Sequence, residues 1–143
     1  DRDLAHEFEW RCKQAGQLAS KMRYISAPWV NLLRDGAWLR HADHANKMAA
    51  RLFNGIKKIK GTKLLYPRQS NGVFVDLPIP VIEALHDRGW HFYTFIGETG
   101  ARLMCSWDTT TEDVDDFVAD LNEVMSNPKK LASKTKRKKR KNH

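Results

Sequence analysis

Only two of the 143 residues are cysteine, Cys12 and Cys105, and 93 positions separate them. With no CxxC pair, the sequence predicts free thiols in a reducing compartment and no metal site. Long apolar runs are also missing. None approaches the ~20 residues of a membrane helix, and no charged-then-apolar leader opens the chain. A soluble, cytoplasmic protein without a membrane partner is expected. The chain begins Asp-Arg-Asp without an initiator methionine, which reads as a segment or processed form of something longer. At this length one domain with a real core fits and two do not fit comfortably.

Acidic residues are absent from Asn127 onward, where nine Lys or Arg accumulate. The formal charge of +8 therefore comes from the tail, since the body carries sixteen basic against seventeen acidic residues. Any argument from basicity to nucleic acid applies to residues 127–143 alone. That tail, PKKLASKTKRKKRKNH after Asn127, lacks aromatic residues and is expected to be disordered. It reads either as a solvated extension or as a contact for a polyanion.

What is present is a body with 41% hydrophobic content and five tryptophans. Leu4, Phe8, Ala15, Leu18, Met22, Ile25 and Trp29 recur at helical intervals, predicting a long amphipathic helix that Gly16 weakens and Pro28 kinks or ends. Asp35-Gly36 is a break. Trp38, Ala42, Ala45, Ala49, Leu52, Ile56 and Ile59 then form one stripe of a second helix stopped by Gly61. Lys57, Lys58 and Lys60 suit its C-terminal dipole. TKLLY, VFVDL and HFYTFI read as strands, with a helix from IPVIEAL between the last two.

The stretch Gly100–Asp120, GARLMCSWDTTTEDVDDFVAD, reads as strand, turn and helix. Arg102, Met104 and Ser106 alternate with Leu103, Cys105 and Trp107, the period of a strand with one apolar face. Thr109 with Glu112, or Thr110 with Asp113, has the spacing of a capping box. Val114, Phe117, Leu121 and Val124 continue as a helix. Trp90 and Trp107 read as core, His41 and His44 as solvent-side, and Asp108 as a strand-end or capping residue. Arg102 is the one charge in the run Ala101–Trp107, so it must find water, a carboxylate or an anionic ligand. The order of elements predicts an α/β fold, a mostly antiparallel sheet with helices on one face.

KQAGQLASKMR, DGAWLRHADHANKMAARL, LLYP, NGVFVDLP, RGWHFY and RLMCSWDTTTEDVDDFVADL together resemble the carboxy-terminal part of low-specificity L-threonine aldolases. The resemblance spans about Phe8–Val124 and excludes the basic tail. It implies the small carboxy-terminal domain of an aspartate-aminotransferase-like fold, preceded by a connector helix. The expected division is a connector region at 1–36, the α/β domain at 37–126 and the tail at 127–143.

The resemblance also implies a pyridoxal-phosphate-dependent lyase that cleaves β-hydroxy-α-amino acids to glycine and an aldehyde, as a homo-oligomer. In the family the lysine that carries the cofactor lies before the start of this chain, so no catalytic residue is assigned and the chain alone is expected to be inactive. Lys13 and Lys21 lie beyond that position. Arg102 matches the arginine that holds the substrate α-carboxylate, and Arg23 matches a stretch near the cofactor phosphate. The competing readings are a non-enzymatic domain that binds nucleic acid through its tail, and a degenerate piece without activity.

Overall fold

The structure, a computed structural model, describes residues 2–126, and the basic tail lies outside them. The chain divides into two compact units, 1–39 and a second from Arg40 onward. The first carries helices α1 (Arg2–Ala5), α2 (Phe8–Gln14) and α3 (Met22–Leu33), then a short 3-10 turn at Arg34–Gly36. The single long helix expected here is thus broken at Ala15–Lys21, while Pro28 sits inside α3 and does not end it. The break falls at Gly16, whose φ of 69° lies in the left-handed region that no α-helix keeps, and neither α2 nor α3 has a buried residue. Phe8, Trp10, Tyr24 and Trp29 all stand exposed.

Helix α4 (Ala37–Ile56) follows the left-handed residue Asp35, where the sequence marked a break. In the second unit its stripe is buried at Ala45, Ala49, Leu52 and Ile56. Strands β1 (Lys63–Leu64), β2 (Gly72–Asp76), β3 (Tyr93–Ile96) and β4 (Gly100–Met104) form an antiparallel sheet in the order β1-β2-β4-β3. Helix α5 (Ile79–Asp87) connects β2 to β3, and α6 (Thr111–Ser126) follows β4. The last strand in sequence is therefore central in space.

Alternation decides the two faces of that sheet. Val73, Val75, Ala101 and Leu103 point to the helices and join Leu52, Ile56, Leu85, Phe117 and Leu121 in one apolar core. The expected sheet with helices on one face is what forms. Two polar devices hold the helices in register. Arg51 of α4 grips Asp115 of α6 with two bonds, Nε to Oδ1 at 2.7 Å and Nη2 to Oδ2 at 2.6 Å. Trp90 Nε1–H donates to Asp120 Oδ2 at 2.7 Å, and Arg88 bonds the other oxygen of Asp120 and Glu123. Trp90 is thereby tied to the core by its ring and to α6 by its indole N–H.

The Asp120 carboxyl is held below its usual range, first by the Trp90 hydrogen bond and then by Arg88. A depressed native value stabilises the fold above the unfolded pKa of about 3.9 and loses that contribution as pH falls through the native value. Asp120→Ala should lower stability at neutral pH by about 1 kcal/mol, the value of a charged hydrogen bond after solvent screening. Urea midpoints of both proteins should converge below about pH 4.

Helices α4 and α6 approach closely at Gly55, where a Cβ would stand 2.7 Å from Val118 Cγ2. Gly55→Ala gains about 1 kcal/mol of helix propensity against about 1–3 kcal/mol of overpacking, so a net loss of about 1 kcal/mol is expected. In a Val118→Ala background the clash is gone and the same change should stabilise. Urea denaturation of the four proteins in this cycle tests the reversal of sign.

Candidate functional site

Strand β4 lies between two neighbours, and its period of two sends Arg102 to the face opposite the helices. Directly across are Phe74 on β2 and Tyr93 on β3. The β3–β4 pairing shifts between Thr94 and Ile96, and the Phe95 ring lies over the guanidinium with 4.9 Å from Cζ to the ring centroid. Phe74 is braced from the far side by Tyr66 in an edge-on contact, centroids 5.7 Å apart. The arginine thus sits half-buried in an aromatic frame.

Its Nε is buried and has no hydrogen-bond partner among the described residues. None of the ion pairs among the described residues includes Arg102. A buried donor without an acceptor costs about 1–3 kcal/mol. Of the three partners the sequence allowed, a carboxylate of the described chain is excluded. The guanidinium remains a planar fork whose geometry fits a carboxylate or phosphate with two parallel bonds.

Arg23, the other expected ligand-binding residue, lies exposed on α3 in the first unit. Its carbonyl accepts a bond from Ser26 Oγ at 3.3 Å, and its guanidinium enters none of the ion pairs among the described residues. The two arginines belong to different units and share no element.

A cavity of about 320 Å³ opens on the helix side of the sheet, lined by Trp90, Phe92, Cys105, Asp108, Asp113 and Phe117 among others, with Arg102 not in its wall. Its two aspartates are already engaged in local structure. Thr110 N–H donates to Asp113 Oδ2 at 2.8 Å and Asp113 N–H to Thr110 Oγ1 at 3.1 Å, the second of the two capping boxes the spacing allowed. Ser106 Oγ–H donates to Asp108 Oδ1, and Asp108 lies in the turn between β4 and α6 rather than at the strand end or in the capping box. Burial pushes the Cys105 thiol up, so thiolate chemistry is disfavoured there.

Two more expectations fail at this turn. Trp107 is 64% exposed, because β4 ends at Met104 and alternation stops. It meets the His41 ring instead, at 5.7 Å between centroids. His44 is not solvent-side: its Nε2 lies 2.7 Å from the Thr109 carbonyl and ties α4 to the turn before α6. Position 44 borders the Ala45–Ala49 stripe, the one signal that could have found it. The Phe95 contact had only half a signal in the sequence: alternation in HFYTFI puts Tyr93 and Phe95 on one face, but does not say which β4 residue that face meets.

No protein-family model matches the chain. It is 58% identical over 125 residues to the low specificity L-threonine aldolase of Pseudomonas aeruginosa, a match covering 87% of this chain and 36% of that protein. The chain thus spans about a third of the length of the curated relatives it matches. Among solved structures, the threonine aldolase of Leishmania major superposes with a TM-score of 0.59 at 30% identity, over 66% of this chain and 28% of its own. A sphingosine-1-phosphate lyase of Burkholderia pseudomallei reaches 0.62 at 18% identity over 79% of this chain and 26% of its own, a likeness of fold alone. Over most of its length this chain is thus similar to the carboxy-terminal part of low specificity L-threonine aldolases, and its α/β fold is like that of the matching part of threonine aldolase, a fold-type-I pyridoxal-phosphate enzyme.

Proposed function

We propose that the chain supplies the carboxy-terminal part of a pyridoxal-phosphate-dependent lyase that cleaves β-hydroxy-α-amino acids to glycine and an aldehyde. The observation that carries the reading is the unpartnered Arg102 Nε on the open face of β4. Arg102 binds the α-carboxylate of the amino acid through its planar fork. Two anchored oxygens fix rotation about the N–Cα bond and so choose which bond at Cα stands ready to break. When bound, pyridoxal phosphate supplies the electron sink for that cleavage. Arg23, exposed and unengaged by any carboxylate among the described residues, suits the cofactor phosphate.

The aromatic residues left exposed on α2 and α3 support the expected role of 1–36 as a connector that packs against further polypeptide in a homo-oligomer. Among the described residues no helix is long and apolar enough to cross a membrane, in keeping with a cytoplasmic enzyme. The nucleic-acid reading rested on residues 127–143, which lie outside the described residues, and no observation favours it.

Incubating the full-length enzyme carrying this sequence with L-threonine or L-allo-threonine and pyridoxal phosphate tests the proposal. Glycine and acetaldehyde are expected in equal amounts. Amino-acid consumption without glycine would refute a retro-aldol cleavage.

A further inference from the structure

Strand β3 is irregular where it passes Arg102. Thr94 pairs with Ala101 and Ile96 with Gly100, so Phe95 is the extra residue of a bulge with no partner of its own on β4. A bulge bends its strand and redirects a side chain. Alternation already sets Phe95 on the same face as Tyr93 and Arg102, and at the bulge its ring lies over the guanidinium. Tyr93, which regular pairing sets opposite Arg102, does not make this contact.

The irregularity depends on Gly100. A Cβ at that position would stand 2.4 Å from the Ile96 carbonyl oxygen and 2.8 Å from Ile96 Cβ. Only a residue without a side chain lets β3 close on β4 at this point. Phe95 is 64% exposed, so packing into the core does not account for its placement.

We propose that Phe95 is a positioning residue, whose ring fixes the plane of the Arg102 guanidinium and leaves its N–H edge free for a carboxylate. The ring covers one face of the guanidinium and offers no acceptor to its donors. It restrains the plane by cation–π attraction without consuming a hydrogen bond. An acidic neighbour would hold the group equally well and would compete with the ligand. The use of the fixed edge for a carboxylate rests on the function proposed above, whereas the restraint itself does not.

Solvent exchange and nitrogen relaxation at the Arg102 Nε–H group, measured by NMR in the full 143-residue chain, read the restraint directly. Phe95→Leu keeps an apolar side chain at an exposed position, and unchanged backbone shifts in the core would report an intact fold. Exchange at Nε–H should rise about two- to fivefold, the equivalent of an exposed cation–π contact, and Phe95→Tyr should restore the original rate. An unchanged rate in folded Phe95→Leu, or no restoration by Tyr, overturns the inference. A purely structural Phe95 would shift β3 amides and leave Nε–H alone. Acetate, the minimal carboxylate, separates the two readings. Arg102 resonances that ignore acetate, yet loosen in Phe95→Leu, would remove the carboxylate role and leave the positioning role standing.

Discussion

Replacing Arg102 with lysine should raise the KM of the full-length enzyme for its amino acid about 10- to 150-fold, the equivalent of about 1.5–3 kcal/mol for a hydrogen bond to a charged group. The substitution keeps the charge and removes the fork, so it separates attraction from geometry. A point charge on a flexible stem can still draw a carboxylate in, but cannot hold both oxygens in one plane. Turnover should therefore fall along with affinity, since the orientation about N–Cα loosens. The fold should be unaffected, because no described side chain accepts a bond from the Arg102 Nε. An amine substrate analogue without the carboxylate provides the control, and its affinity should barely change. Wild-type KM in Arg102→Lys would remove the carboxylate assignment.

Leu121→Ala should lower the stability of the full chain by about 2–5 kcal/mol, a large share of a typical domain's margin. Leu121 is 0% exposed and lies on the buried face of α6 with Val114, Phe117 and Val124. That face packs in one cluster with Leu85 of α5, Leu52 of α4 and Val75 of β2, so a lost isobutyl group leaves a void bordered by several elements. Leu121→Met nearly conserves volume and should stay within about 1.5 kcal/mol. Urea denaturation read by tryptophan fluorescence measures both. A loss below 1 kcal/mol in the alanine variant, on the order of a surface change, would show that α6 is not part of the cooperative core.

Periodic burial was the legible part of this molecule. The buried part of the α4 stripe, the α6 stripe and the alternation around Arg102 follow from spacing alone, because each repeats a local rule over many residues, whereas the spacing left two capping boxes open and the structure chose Thr110–Asp113. The likeness to threonine aldolases was legible too, in segments scattered along the chain. Contacts that join distant segments were not. His44 reaches Thr109 across 65 positions, and Trp107 leaves the core because the strand stops three residues before it. The break between α2 and α3 falls at Gly16, the weak point named in the sequence, although its strength as a break was not legible.

The central place of β4 has a consequence during synthesis. Among the described residues strand β3 pairs only with β4, and β2 pairs with β4 on its other edge, yet β4 leaves the ribosome last of the four. Until Gly100–Met104 emerges, Tyr93 and Phe95 travel on a strand with nothing to pair with, an invitation to bind a neighbouring nascent chain. Transcripts ending before that codon window would yield polypeptides in which this condition is permanent. Such products should be captured by chaperones and degraded, whereas those reaching Ser126 can close the sheet.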